Sequence, residues 1–411
     1  MAIIRPFYAF RPKADLVEKI ASPPYDVVTT DQARELARDN PYSFLHVVRP
    51  EIDLPPDTDP YSSAVYQKAA ENLQGMIKNG YLIKDTKPSL FAYSQQRGAH
   101  VQTGIVACCS ADEYDADVIK KHEKTRADKE EDRTRHIVAT SAHTGPVFLM
   151  YRDVKMINDL VGKTCKENPL YHFTAPDGVI HTVHQISDSG SLKILIEQFA
   201  ALENLYIADG HHRSAASSRA RAEKRSANPN HKGDEEYNYF LAVLFPASSL
   251  KIMPYNRVVK DVRGLSVEEL FRQIEKHFQI QEVKTPQADS KGRFCMYFKG
   301  KWRLLIDKPG EHPTDDPVMK LDANILQRYL LDPVLGIKDP RTDKRISFVG
   351  GIHGTKELER QVDEGKGEVA FLLHPAHTED IMEVSDAGKV MPPKSTWFEP
   401  KLRSGLMVHI F

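Results

Sequence analysis

The sequence has few cysteines, no long apolar run and no excess of charge of either sign. Each shortage excludes a class of protein. Its four cysteines, Cys108, Cys109, Cys165 and Cys295, show no CxxC spacing, which removes a disulfide framework and makes a structural zinc site a poor fit. No stretch approaches the ~18–20 apolar residues that a bilayer-crossing helix needs; the longest candidates, Tyr239–Phe245 and Gly104–Cys109, are strand-sized. The opening MAIIRPFYAFRP places charge and proline where a secretory leader keeps an unbroken apolar segment. The chain is therefore expected to be cytoplasmic, with reduced thiols and no membrane partner. Lys plus Arg number 56 against 57 Asp plus Glu, a net charge of -1. That balance argues against a surface devoted to nucleic acid. Familiar catalytic signatures are missing too: there is no GxxxxGKS/T, no GxGxxG after a strand, no HExxH and no GxSxG.

What is present is ordinary globular composition, 41% hydrophobic and 27% charged over 411 residues, enough for two or three domains at roughly 100–200 residues each. Strand and helix patterns alternate along most of the chain, which predicts an α/β (α+β) fold. Helices are expected over 31–39, 62–78, 127–141, 191–202, 267–278 and 323–330. Strands are expected over 90–94, 101–109, 146–151, 179–186, 205–208, 238–245 and 369–373. The 127–141 helix reads as an amphipathic, solvated element. A composition break at 248–261 divides the chain into a core, 1–248, and a smaller C-terminal α/β domain, 249–411.

The sharpest feature is YIADGHHRSAASSR, from Tyr206 to Arg219. A buried strand that ends in glycine and turns into a helix leaves unpaired N–H groups at the helix start. Those donors and the helix dipole favour an anion. Gly210 permits close backbone approach, and Arg213 can grip phosphate oxygens through two nitrogens. His211 and His212 add donors, and Asp209 could hold Mg2+ through oxygen. The plainer reading is an Asp209 N-cap with solvated histidines; two histidines and an arginine crowded onto one helix start favour phosphate.

Other candidates are more dispersed. KHEKT, Lys121–Thr125, offers Glu123 as a carboxylate near an acceptor proton, or as one partner in a salt-bridged stretch. Thr125 and Arg133 could reach phosphate. Asp26, in the stiff PPYDVV loop, is a metal or substrate ligand or else a turn cap. In NPYSFLHVVRPE, Asn40 ends a helix and a short strand follows, with Arg49 at its end as a carboxylate or phosphate ligand or a surface pair. Near the C-terminus, Lys394, Ser395, Lys401 and Arg403 surround Trp397 and Phe398. That segment suggests an aromatic-anchored anion cradle that completes the site from the second domain.

Six pieces in order, PPYDVV, NPYSFLHVVRPE, KHEKT, DRTRH, DGHHR and MPPKSTWFEPKLRSGL, resemble the family catalogued as domain of unknown function 1015. The strand–DGHHR–helix segment also resembles the ParB/sulfiredoxin-like superfamily and its free serine kinases. The resemblance implies a ParB-like core with insertions and phosphoryl transfer from ATP, ADP or pyrophosphate to the hydroxyl of free L-serine. In that reading Asp209, His211 and Glu123 are catalytic. Gly210, His211, His212, Arg213, Lys394 and Ser395 bind phosphate, and Asp26, Arg49, Thr125, Arg133 and Lys401 bind substrate. Asp209 and Glu123 would hold Mg2+. Two other functions stay open: a phosphatase or nucleotide hydrolase using the same site, and a ParB-like nucleotide- or DNA-binding regulator. The last would need a basic surface and a helix-turn-helix, and the sequence offers neither.

Overall fold

A computed structural model describes residues 2–308, 310 and 315–411. The chain folds as two compact units. The first is Met1–Leu250 with Pro400–Phe411, and the second is Lys251–Glu399. The final stretch of the chain thus packs with the unit that begins it, whereas the sequence reading kept 249–411 together. None of the described helices is long and apolar enough to cross a membrane.

The first unit is built on a mixed sheet of nine strands. In spatial order the path runs Ile119–Lys120, Leu205–Asp209, Val147–Tyr151, Tyr239–Pro246, His100–Ser110, Leu90–Arg97, Ile180–Ile186 and Tyr171–Thr174, and Ile4–Arg5 pairs with the far end of His100–Ser110. Period-two alternation decides which residues form the core. Leu205 and Ile207, Val147 and Leu149, Ala242 and Leu244, and Ile105 and Ala107 point to one face, where Ile157, Val161, Leu195 and Phe199 from two helices cover them. The hairpin between Leu90–Arg97 and His100–Ser110 turns at Gly98–Ala99, so Gln95–Arg97 extend a strand where a turn was expected.

Two helices, His211–Ala227 and Ala127–Thr140, pack on each other, the first of them following directly on the strand Leu205–Asp209. The second of these is not simply solvated. Asp132, Thr134, His136, Ile137 and Thr140 are buried along one face. Its polar inward residues are accommodated by partners, since Tyr66 Oη donates to Asp132 at 2.9 Å and His136 Nε2 meets the Val47 carbonyl at 2.8 Å. The segment after Asn40 also departs from expectation: Leu45–Val48 is a helical turn rather than a strand. Burial of Leu45, Val47 and Val48 with Ile20, Phe44 and Leu73 overrides the strand preference of the two valines.

The second unit holds a six-stranded sheet in the order Phe278–Val283, Lys301–Asp307, Arg293–Phe298, Val369–Leu372, Tyr255–Val259 and Ile346–Gly350, with every pairing antiparallel. Tyr255–Val259 emerges from the stretch read only as a composition break. The helix expected to reach Phe278 stops at Ile274, because Phe278 opens the edge strand. Thr378–Asp386 is a helix that the sequence reading passed over. Ile252–Met253 pairs with Trp397–Phe398, which docks the KSTWF segment onto this unit.

Candidate functional site

The strand Leu205–Asp209 is buried up to its last residue, and a register shift falls between Ile207 and Asp209 where it leaves its neighbour. Gly210 follows in a left-handed conformation, φ 95°, and His211 starts the helix. A Cβ at Gly210 would sit 3.0–3.1 Å from the Arg213 guanidinium. The close approach this glycine permits is therefore to its own arginine.

Arg213 is 8% exposed. It donates to the Pro146 carbonyl and to Asp209 Oδ2, the latter at 3.3 Å. Burial works against its charge, but Asp26 and then Asp209 more than restore it, and the group is held above its usual value. Asp209 Oδ2 also lies 3.6 Å from Lys401 Nζ. Burial would raise the Asp209 carboxyl; Lys401, Arg213 and His211 outweigh it and hold it at about 2. Lys401 is delivered by a glutamine ladder: Gln95 Nε2 donates to its carbonyl at 2.8 Å, and Gln102 Nε2 donates to Gln95 Oε1 at 2.9 Å. Two adjacent strands thereby fix the returning tail against the sheet.

The two histidines of DGHHR face inward more than the sequence suggests. His211 Nε2 accepts the His122 N–H at 3.4 Å, and His212 Nε2 accepts the Arg126 N–H at 3.1 Å. Each therefore stitches the motif helix to the KHEKT segment. With Nε2 an acceptor, neutral His211 carries its proton on Nδ1, which faces Glu123 Oε2 at 3.8 Å, beyond hydrogen-bond length. Burial, with His122 adding to it, keeps His211 well below the usual imidazole range. Glu123 itself is exposed, with 45% of its side chain open to solvent.

His122 is the residue the sequence reading overlooked inside KHEKT. It is 2% exposed, and its ring meets that of His211 edge-on at 4.4 Å between centroids. Burial pulls it down to about 4. The Ile207 backbone favours its cation, yet neither ring nitrogen makes a properly directed hydrogen bond.

Behind Arg213 lies a cavity of about 30 Å³ lined by Tyr25, Arg133, His136, His143, Arg213 and Ser404 among others. It has room for a couple of waters, not for a nucleotide. Arg133 pairs with Asp132 at 2.8 Å and sits 4.1 Å over the Tyr25 ring. Asp26, next to Tyr25, is exposed and acts electrostatically on His212 and Arg213. Four of the six motif pieces, PPYDVV, KHEKT, DRTRH and DGHHR, thus meet around one helix start, and Lys401 and Ser404 bring in the tail.

Other candidates are engaged elsewhere. Arg49 pairs with Glu51 at 3.0 Å and donates to Thr30 at 2.8 Å. Thr125 donates to Glu130 at 2.9 Å. Lys394 and Ser395 belong to the second unit and line a cavity there. Among the described residues no group of three or more His, Cys, Asp or Glu side chains is gathered to hold a metal ion. The Asp209 carboxylate, expected as a Mg2+ ligand, already has two cations against it.

The family model described as protein of unknown function DUF1015 matches residues 4–324. No curated protein matches the chain. Among solved structures, a conserved hypothetical protein from Pyrococcus furiosus is similar at 14% identity and a TM-score of 0.34, over 74% of this chain and 94% of that one. A free serine kinase in complex with AMP is similar at 13% identity and a TM-score of 0.36, over 74% and 91%. SbnI with a C-terminal truncation, from Staphylococcus aureus, gives 10%, 0.37, 74% and 87%. Likeness this distant leaves the chemistry to be argued from the site itself.

Proposed function

Because the chain belongs to the DUF1015 family, and because its motif segments converge on one helix start, we propose that the first unit is a small-molecule kinase acting on free L-serine. The observation that carries this reading is the grouping of Asp209, Lys401 and Arg213, with Lys401 at 3.6 Å and Arg213 at 3.3 Å from the same carboxylate oxygen. Phosphoryl transfer needs little covalent chemistry from a protein. It needs positioning, charge neutralisation, and a base near the acceptor hydroxyl. Two cations held by one half-buried carboxylate supply preorganised positive charge for the oxygens of a transferring phosphoryl group. The N–H groups at the start of the His211–Ala227 helix add to it.

Glu123, 3.8 Å from His211 Nδ1, takes the base role. The serine Oγ attacks the terminal phosphorus of the donor, the new O–P bond forms, and the bridging O–P bond to the leaving diphosphate, monophosphate or phosphate breaks. The hydroxyl proton passes to the Glu123 carboxylate. His211 and its neighbour His122 stay neutral because burial holds both low, so neither competes as a proton donor at neutral pH. Mg2+ would arrive on the donor's phosphates, with one or two carboxylates and waters completing its shell; Glu123 and Asp209 are the candidates, and Asp209 would have to exchange a cation to serve.

The deciding experiment follows phosphorus NMR of the purified protein with serine, Mg2+ and, in turn, ATP, ADP and pyrophosphate. Phosphoserine with at least one donor supports the kinase. Absence of phosphoserine with all three overturns it, and phosphate release without serine moves the site to the hydrolase reading.

A further inference from the structure

The second unit contains an arginine buried within its sheet. Arg257 lies in the Tyr255–Val259 strand, inside the six-stranded sheet, and is 3% exposed. Its Nη1 donates to the Tyr255 carbonyl, and its guanidinium sits 4.8 Å over the Phe348 ring. Among the described residues no carboxylate pairs with it. Burial pulls it down to about 10. An uncompensated buried cation is costly, and proteins normally pair such a group or put it to use.

Arg257 lines a cavity of about 20 Å³ together with Tyr255, Lys291, Asp322, Lys394 and Ser395. Lys394 is held in a left-handed conformation, φ 58°, which a side chain adopts only at a cost, and its ammonium lies 5.5 Å from the Tyr255 ring. The two nearby carboxyl groups do not spoil the positive charge. Asp380 has Lys291 on one oxygen at 2.5 Å and the His377 N–H on the other at 2.9 Å. Asp322, 8% exposed, accepts the Gly292 N–H on Oδ1 at 2.9 Å, and its Oδ2 is buried with no partner. Burial raises Asp322 to about 7, so near neutrality it can offer a hydroxyl to an anion.

We propose that this cavity is an oxyanion site, taking the carboxylate or phosphate head of a small ligand between Arg257 and Lys394, with Asp322 Oδ2 as a third contact. At about 20 Å³ the cavity is too small to enclose a nucleotide, so only a single head group is placed there. The inference does not rest on the kinase reading, since every residue in it belongs to the second unit.

The test uses the full chain in chloride buffer at fixed ionic strength, with inorganic phosphate and acetate as separate probes. Binding is measured by calorimetry and by the rise in Tm, in an Arg213→Ala background so that the first unit's anion site is weakened. At least one probe should bind and raise Tm. Lys394→Ala, an exposed position, should weaken that binding by about tenfold or more. Arg257→Met should abolish it and, without any probe, should leave Tm unchanged or higher, because an apolar side chain of similar length replaces an unpaired buried charge. Phosphate binding without acetate binding identifies a phosphate head, and the reverse a carboxylate. Absence of binding by both probes overturns the proposal, as does binding that survives both Lys394→Ala and Arg257→Met. An Arg257→Met protein that melts much lower marks a structural arginine and overturns it as well. Serine phosphorylation is assayed separately on the wild-type chain, so neither failure can be mistaken for the other.

Discussion

Arg213 and Arg257 are both buried arginines beside small cavities, one in each unit, and they are held in opposite ways. Arg213 follows a glycine turn at a helix start, donates to a backbone carbonyl, and has the Asp209 carboxylate at 3.3 Å with Asp26 acting on it from the loop. Arg257 lies in mid-strand with the Phe348 ring and the Tyr255 carbonyl for company. The same guanidinium is pushed up in the first setting and down to about 10 in the second. The difference teaches that a buried charge is defined by its counter-charges more than by its depth. A compensated arginine can be a permanent part of an electrostatic frame. An uncompensated one has its balancing charge still to come.

The sharpest way to break this contrast is at Glu123, the proposed base, which faces His211 at the same helix start. If the Arg213 region is a catalytic frame, Glu123→Gln should lower kcat by ~10²–10⁴-fold and leave Tm nearly unchanged, since Glu123 is exposed. Steady-state kinetics and a melting curve on one preparation decide it, and turnover within about threefold of wild type would fall far short of that range and withdraw Glu123. Next in size is Arg213→Ala. Loss of a charge-assisted contact of roughly 1.5–3 kcal/mol should weaken donor binding by about tenfold to a hundredfold, read by calorimetry and by kcat/KM.

Acid tests the counter-charge directly. Asp209 is held at about 2 in the folded chain, below the ~3.9 of an unfolded aspartate. A depressed carboxyl stabilises the fold above about pH 4, and that stability is lost as pH falls toward 2. Lys401→Met should raise the Asp209 value and flatten this loss, and urea unfolding between pH 2.5 and 5 would show it. If the two slopes coincide, Lys401 is not the ion that holds Asp209. The smallest effect belongs to the turn: Gly210→Ala forces a Cβ into a left-handed residue and against Arg213, and should cost about 1–2 kcal/mol of stability. Equal stability of the variant in urea would show that the turn is not what shapes the Arg213 frame.

Much of the fold was legible, and for a definite reason. Buried strands such as Leu205–Asp209 and Tyr239–Pro246 are unbroken apolar runs with turn residues at their ends, and helices such as Ser63–Lys78 carry their own 3.6-residue pattern. The failures are as instructive. Leu45–Val48 is helical although its valines favour strand, because the cluster around Phe44 and Leu73 decides its conformation. Tyr255–Val259 was passed over because its polar Asn256 and Arg257 break the hydrophobic signal of a central strand, and that same break marks the second cavity.

In the site, the sequence by itself singled out DGHHR, because a strand, a glycine and a helix start crowded with His and Arg have a local chemical meaning. It also named Lys401 and Glu123 as residues worth following. It could not show that Lys401 returns to Asp209, that His122 packs against His211, or that MPPKSTWFEPKLRSGL divides after Glu399 so that Lys394 and Lys401 serve different units. Those relations join residues far apart along the chain. Local preferences act over a few residues, whereas the partner of a buried charge is chosen by whichever distant segment the packed core brings within a few ångströms. Only the tertiary structure makes that choice.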